Sequence, residues 1–312
     1  MRDTDEPGES RRGFLKCMSW AGTGLVWTLA GGVPLAAGLE ASAAAAGRAA
    51  PFSFVQISDS HIGFSKPFQP DARATYREAV ARIAALPNRP AFILHTGDVS
   101  QLSRDAEFDD ADQIVKAANL PVFHVPGEHD VLDEGGGQAF LARYGKGATG
   151  AGWFSFDHSG VHFVALVNVV NLKAGGMGSL GAGQLAWLKD DLARHGASTP
   201  IVVFAHMPLW ALYPDWGWGT DDAAGALALL RRFGSVTVLN GHIHQVQQKV
   251  EGQVRFYTAR STAFPQAAPG TPGASPGPMP VAAERLRRVL GVREVSLIAQ
   301  ARPLAIADQT LA

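Results

Sequence analysis

The sequence predicts an α/β fold, and three observations support this prediction. From Phe52 onward, short apolar segments typical of buried strands alternate with longer amphipathic segments typical of helices. After residues 150 and 240, strand-like segments follow one another directly, which adds antiparallel pieces to the alternating order. The chain has 312 residues and no apparent internal repeat, so it is long enough to bury a large core within one domain.

The individual elements are predicted from the period of their apolar residues. The first helix, for example, places Tyr76, Val80, Ile83 and Leu86 on one face through spacings of three and four residues. Further helices are predicted at 104–118, 181–195 and 221–233, after the first at 72–86. Strands are predicted at 52–58, 91–98, 121–125, twice within 153–167, and at 200–206, 236–242, 245–250 and 254–259.

The segment 264–280 is too rich in proline and glycine for a helix or a central strand. We interpret it as a long surface loop inside one domain of residues 51–312, because one helix and one or two strands still follow it. The net charge of −1 gives no electrostatic footprint for nucleic acid. Cys17 is the only cysteine, so any metal bound by the domain must use imidazole and oxygen ligands.

Residues 1–50 are predicted to be a signal segment rather than part of the fold. "SRRGFLK" at 10–16 contains paired arginines and precedes an apolar run from Met18 to about Leu39, followed by alanines that suit signal peptidase. This arrangement resembles a twin-arginine (Tat) export signal, which implies contact with the Tat translocase and a periplasmic or secreted protein. The alternative is a membrane anchor, because the apolar run is nearly long enough to span a bilayer. Cleavage would leave no stable anchor.

Each of five predicted strands ends on ionisable residues. In α/β sheets, ligands bind beyond the carboxyl ends of the strands, so these ends should face one crevice. Glycine precedes three of them, which suits a backbone that passes close to an ion. Two divalent ions about 3.5–4 Å apart would fit so many nitrogen and oxygen ligands. The residues are Asp59 and His61, then Asp98, then Glu128 and His129, then His206, and finally His242 and His244.

The order of these residues resembles the calcineurin-like metallophosphoesterases. Their signature stands here as Asp59-Ser60-His61, Gly97-Asp98, Gly127-Glu128-His129-Asp130, His206 and Gly241-His242-Ile243-His244. The resemblance implies a four-layer αββα sandwich of two mixed β-sheets flanked by helices. It also implies that Asp59, His61 and His244 hold one metal, that Glu128, His206 and His242 hold the other, and that Asp98 bridges them. The segment 179–192 is similar, more weakly, to a helix of the cyclic-nucleotide phosphodiesterase branch.

The implied activity is hydrolysis of phosphodiesters or phosphomonoesters with two divalent or trivalent ions, of Mn, Fe or Zn. A hydroxide between the metals would attack phosphorus, His129 would be the general acid, and Asp130 would orient it. Glu128 departs from the family pattern, which usually has asparagine there. A glutamate should hold the ion more tightly but reduce its Lewis acidity. The alternative is a binding or weakly active protein whose second metal site is altered at Glu128.

Two further features are left open by the sequence. The run 207–220 is rich in tryptophan and tyrosine and directly follows His206. It either lines an ester or nucleobase pocket or forms a self-packed loop over the site. His95, His124 and His162 are interpreted as packed strand histidines rather than ligands.

Overall fold

A computed structural model describes residues 25–30, 33–38, 51–297 and 304–312. At the amino-terminal end, strands β1 (Leu25–Ala30) and β2 (Val33–Gly38) pair with each other in antiparallel fashion. The paired arginines and the predicted cleavage region lie outside the described residues, so export stays a prediction. In the part of the chain that is described, no helix has the length and hydropathy needed to cross a membrane.

Residues 49–312 form one compact unit that contains two β-sheets. The smaller sheet has five strands in the order β13-β12-β3-β4-β5. Its β3, β4 and β5 run parallel, whereas β12 and β13 are antiparallel additions at one side. The strands are β3 (Phe52–Ile57), β4 (Ile93–His95), β5 (Val122–His124), β12 (Gly291–Leu297) and β13 (Ala305–Thr310).

The larger sheet has six strands in the order β10-β11-β9-β8-β7-β6. The four central strands are parallel, and the two edge strands are antiparallel to their neighbours. The strands are β6 (Phe154–His158), β7 (Val161–Ala165), β8 (Ile201–Phe204), β9 (Val236–Asn240), β10 (Gln247–Glu251) and β11 (Val254–Thr258).

Alternating strand residues divide the core into three apolar layers. On β3, Phe54 points into the layer between the sheets, whereas Val55 and Ile57 pack against helices. On β8, Val202 and Val203 divide in the same way. The predicted αββα sandwich is therefore confirmed. The helices are α1 (Ala72–Ala84), α2 (Asp105–Val115), α3 (Gln138–Tyr144), α4 (Gly181–Leu192), α5 (Ala223–Leu230) and α6 (Ala283–Val289).

The boundaries differ from the predicted ones mainly at strand ends. The strand predicted at 91–98 is regular only over Ile93–His95, because the following residues turn into the loop that carries Asp98. Helix α3 was not predicted, since it has only seven residues and follows three glycines. The segment 264–280 contains no helix or strand, as expected for a loop.

Candidate metal centre

The ionisable residues that end the predicted strands lie together at the carboxyl ends of β3, β4, β5, β8 and β9. Backbone hydrogen bonds join neighbouring loops there: the Asp59 N–H donates to the Gly97 carbonyl, and the His61 N–H donates to the Asp98 carbonyl, each at 2.9 Å. Neighbouring parallel strands thus continue their contact beyond the sheet, which brings residues about forty positions apart into one centre.

The first group of potential metal ligands is Asp59, His61 and His244. All three are buried, and one ligand atom from each lies within 4.8 Å of the others. The Asp59 Oδ1 is 3.2 Å from the His244 Nε2, which in turn is 3.3 Å from the His61 Nε2. The sequence prediction grouped the same three residues.

The second group is Glu128, His206 and His242. The two carboxylate oxygens of Glu128 face different histidines: Oε2 lies 2.8 Å from the His206 Nε2, and Oε1 lies 2.9 Å from the His242 Nδ1. Although asparagine usually occupies this position in the resembling family, the glutamate side chain points into the centre. It is not displaced toward solvent.

Asp98 lies between the two groups. Its Oδ2 is 3.4 Å from the His61 Nε2 on one side and 3.4 Å from the His206 Nε2 on the other. A single carboxylate that approaches one histidine from each group is suitably placed to bridge two ions. The structure therefore brings all seven predicted ligand residues into one cluster with Asp98 at its middle.

Several buried polar atoms of this cluster make no hydrogen bond of acceptable geometry, including the Glu128 and His206 atoms that lie 2.8 Å apart. They are the Asp59 Oδ2, the Glu128 Oε2, the His206 Nε2 and both ring nitrogens of His242. Unpaired buried polar atoms are costly in a protein interior, and here they converge on a shared space. Carboxylate oxygens and imidazole nitrogens are ligands for Mn, Fe and Zn. The residues present therefore fit a pair of metal ions.

The other ring nitrogen of three of these histidines is occupied by a hydrogen bond to an oxygen. An oxygen of this kind can only accept, so the Nδ1 carries the proton and the Nε2 remains available as a ligand. The acceptors are the Thr96 carbonyl for His206 (2.7 Å), the Phe264 carbonyl for His244 (2.5 Å) and the Gln101 Oε1 for His61 (3.1 Å).

The backbone of the centre adopts conformations that most side chains avoid. Left-handed φ angles cost about 1 kcal/mol or more in a non-glycine residue and concentrate at functional sites. Of the eight non-glycine residues with positive φ in the described chain, five are predicted ligands. These are Asp59 (54°), His61 (42°), Asp98 (53°), His242 (68°) and His244 (54°).

Two of the glycines next to predicted ligands are required by close packing. A Cβ atom on Gly127 would meet the backbone nitrogen and the carboxylate of Asp98. A Cβ atom on Gly241 would meet the side chains of Ser58 and Asp59. Both positions therefore allow a loop to pass directly against a carboxylate that is a predicted ligand.

Burial opposes charge on the groups of this centre, but the carboxylates and histidines stabilise one another. Burial is the largest influence on His61 and lowers its pKa to about 3. Burial acts to raise the pKa of Glu128, yet His242 and His206 outweigh it and hold this pKa well below its usual value. Burial acts to lower the pKa of His206, but the charges of Asp98 and Glu128 raise it well above the usual value. The centre therefore favours cations.

Gln101, which the sequence analysis did not identify, positions His129. The His129 Nδ1 donates to the main-chain carbonyl of Gln101 at 2.8 Å, and the same residue accepts from His61 through its side chain. The backbone N–H of His129 donates to the Asp98 Oδ1 at 2.9 Å. In the sequence, Gln101 is distinguished only by its position three residues after Asp98 in the same loop.

The carboxylate of Asp130, the residue predicted to orient His129, is directed to the backbone of neighbouring loops. Its carboxylate is buried and accepts hydrogen bonds from the backbone N–H groups of Val99 (3.0 Å), Ser100 (2.8 Å) and Gly127 (3.0 Å). It therefore fastens the Asp98 loop to the Glu128 loop and does not hydrogen-bond the His129 ring. Burial, with the nearby charge of Asp98, raises the pKa of Asp130 to about 6.

A cavity of about 340 Å³ opens beside the cluster. It is lined by Asp98, Glu128 and His129 and also by Trp216 and Trp218. The tryptophan-rich run 207–220 therefore lines the site, although Trp218 is also packed within the run. His95, His124 and His162 are buried strand residues outside this cavity, as interpreted from the sequence.

The two-sheet sandwich carries two groups of potential metal ligands that share Asp98. Residues 52–246 match the model of the family described as "Calcineurin-like phosphoesterase", and the chain belongs to this family. The match contains every predicted ligand and His129.

Several known proteins resemble this chain in fold or over part of the sequence. A dimetal phosphatase from Danio rerio superposes with a TM-score of 0.65 at 14% identity, over 84% of this chain and 96% of that one. A purple acid phosphatase from yellow lupin (Lupinus luteus) seeds gives 0.62 at 13% identity, over 84% and 52%. Purple acid phosphatase 23 of Arabidopsis thaliana is 31% identical over 102 residues, which is 30% of this chain and 21% of that protein. This chain thus matches about a fifth of the plant enzyme's length.

Proposed function

We infer that the chain hydrolyses phosphoesters with two metal ions, that phosphodiesters are its leading substrates, and that phosphomonoesters are the other candidate. The observation that carries this proposal is the pair of ligand groups that share Asp98 and face the cavity next to His129. Asp59, His61 and His244 would hold one ion, Glu128, His206 and His242 would hold the other, and Asp98 would contact both. Such ions stabilise charge on phosphoryl oxygens and lower the pKa of bound water toward neutrality.

His129 is proposed as the general acid. Its Nδ1 proton is engaged by the Gln101 carbonyl, so the proton for the leaving oxygen must come from Nε2. Burial acts to lower the pKa of His129, but the carboxylates of Asp98 and Glu128 raise it above the usual value. The protonated ring is thereby stabilised near the cavity.

The test compares leaving groups. His129→Asn should lower turnover of a phosphodiester with a poor alkoxide leaving group by about 10²–10⁴-fold. It should lower turnover of bis-p-nitrophenyl phosphate far less, because p-nitrophenolate leaves without a proton. Equal losses on both substrates would contradict the general-acid role. Comparison of bis-p-nitrophenyl phosphate with p-nitrophenyl phosphate, at measured metal content, decides between diesters and monoesters.

A non-enzymatic or weakly active metal-binding protein is the alternative, and Glu128 is the observation that favours it. Its carboxylate contacts both His206 and His242 and adds a negative charge to the second group. Two bound ions per chain without turnover of either nitrophenyl ester would establish this alternative.

We also propose that the chain is exported by the Tat route and acts in the periplasm or outside the cell. The supporting observation is the sequence "SRRGFLK" ahead of an apolar, alanine-rich segment. The metal centre adds a reason for export in the folded state, because its ligands come from five separate strands and meet only after folding.

A further inference from the structure

We propose that the cavity selects phosphoesters with a bulky, uncharged apolar group, and that Trp216 and Leu172 determine this specificity. The inference rests on the proposed function and names the substrate class for the same site. It concerns the apolar side chains that line the cavity together with the ligand residues.

The cavity is large enough for more than a phosphoryl group. Its volume of about 340 Å³ lies within the range of small-molecule sites. Besides the carboxylates and histidines, the lining contains an apolar wall of Leu172, Trp216 and Trp218, and Phe264 packs against His61 and His244. An ester whose phosphoryl group lies at the ligand end would place its organic group against this apolar wall.

The charges of the lining residues disfavour binding of a substrate that has a second anionic group. Among the described residues, no lysine or arginine lines the cavity. Lys173, the nearest cation in the sequence to the wall residue Leu172, is exposed and is not a lining residue. A carboxylate or second phosphate at the apolar end would lose hydration without gaining a cationic partner, which is costly.

The tryptophan wall is held in place by packing and hydrogen bonds. Trp216 packs edge-to-face against Trp218 (5.3 Å between ring centroids, 86° between planes) and against Tyr213 (5.4 Å, 81°). At the base of the run, the buried amide of Asn168 donates to the Thr220 hydroxyl at 2.8 Å. A wall fixed in this way presents an aromatic surface with little ordering cost on binding.

Exposed apolar side chains also occur close to lining residues in the sequence. Six large hydrophobic side chains are exposed in the described part of the chain, and five of them line the cavity or lie within three residues of a lining residue. The five are Leu102, Leu132, Val170, Leu172 and Val246, and the sixth, Val250, lies on edge strand β10.

The test uses two phosphodiesters that share a p-nitrophenyl leaving group and differ in the second ester group, which is phenyl or 4-carboxyphenyl. With wild-type protein loaded with manganese, kcat/KM should be about tenfold higher for the phenyl diester. The non-hydrolysable phenylphosphonate should likewise bind more tightly than 4-carboxyphenylphosphonate in calorimetric titration, which measures the preference without turnover.

Two variants test whether Leu172 and Trp216 cause the preference for the phenyl diester. Leu172→Lys places a cation in the wall and should bring the ratio of the two kcat/KM values to about one or below. The matched control Val250→Lys adds the same charge on edge strand β10, at a residue that does not line the cavity, and should leave the ratio unchanged. Trp216→Ala should lower kcat/KM for the phenyl diester about tenfold, with a much smaller effect on p-nitrophenyl methyl phosphate.

The outcomes separate this inference from the function on which it rests. Turnover of both diesters at equal kcat/KM, or an unchanged ratio in Leu172→Lys, would overturn the inference alone. No turnover of any diester or monoester by the metal-loaded wild type would refute the proposed function and this inference with it.

Discussion

The carboxylate of Glu128 lies 2.8 Å from the imidazole of His206, measured from Oε2 to Nε2, although asparagine usually stands at this position in the resembling family. The Nδ1 of His206 is engaged by the Thr96 carbonyl, so its Nε2 faces the carboxylate. The glutamate is therefore positioned as a charged ligand of the second group.

Replacing Glu128 tests whether its charge holds the second ion. Glu128→Gln keeps the length and removes the charge, and Glu128→Asn introduces the usual shorter amide. Both should raise the manganese concentration needed for half-saturation by about tenfold or more while two ions still bind at saturation. Glu128→Ala should retain one ion and lose most activity. Equal manganese stoichiometry and equal manganese affinity in the wild type and all three variants would show that Glu128 is not a ligand.

Asp98→Asn should abolish turnover and reduce the bound metal. The variant removes the anionic charge that lies 3.4 Å from a histidine of each group, so both ions lose a shared ligand. Metal content and turnover of bis-p-nitrophenyl phosphate are the measurements. The exposed Asp110→Asn serves as the control and should match the wild type in both. Normal metal content in Asp98→Asn would exclude a bridging role.

Gly127→Ala should lower the free energy of unfolding by about 1–3 kcal/mol and weaken metal binding, because the new Cβ meets Asp98. Gly183→Ala is the matched control. Gly183 lies inside α4 with open space around its Cβ position, so this change should stabilise the protein by about 0.5–1 kcal/mol. Urea unfolding measures both effects. Similar stability in the two variants would contradict the packing argument.

His162 should make stability depend on pH. Burial acts to lower its pKa, but the hydrogen bonds that its ring nitrogens donate to Asp191 and Asp157, both at 2.8 Å, raise this pKa above the usual value. His195 stacks on this ring, and Arg194 pairs with Asp191. A raised pKa in the folded state means that the stabilisation is complete below pH of about 6.5 and is lost as the pH rises through the folded pKa.

His162→Gln removes this titration. The difference in free energy of unfolding between wild type and variant should therefore be largest at the acidic end of a series from pH 5.5 to 8.5 and should shrink toward the alkaline end. Urea unfolding at each pH measures it. A difference that stays constant over the series would show that the ring is not charged in the folded protein.

Arg11 and Arg12 should determine the location of the protein. Replacing both by lysine keeps the charge but removes the paired arginines, so the full-length chain should remain in the cytoplasm. Cell fractionation with antibody detection measures the outcome. Replacing Arg2 by lysine, outside the pair, is the control. Unchanged export of the double variant would refute the Tat assignment.

The sequence by itself determined the α/β class and the candidate ligands at the strand ends. Apolar residues recur with different periods in strands and in helices, so the two kinds of element can be told apart. Each buried strand is an apolar run that ends at a polar turn, and this local pattern identifies Asp59, Asp98 and His206. Resemblance to a family then supplied the two ligand groups. The end of β4 at His95 differs from the predicted strand end, because the turn toward Asp98 depends on hydrogen bonds with neighbouring loops.

The tertiary structure decided which groups touch. Gln101 is marked in the sequence only by its position three residues after Asp98, yet its carbonyl accepts from His129 and its side chain accepts from His61. Asp130 stands next to His129 in the sequence but turns to the backbone of the Asp98 loop. Trp216 packs on Trp218 and lines the same cavity as the predicted ligands. Local pattern specifies which residues follow a strand, whereas side-chain direction depends on contacts between distant segments, and these exist only in the folded chain.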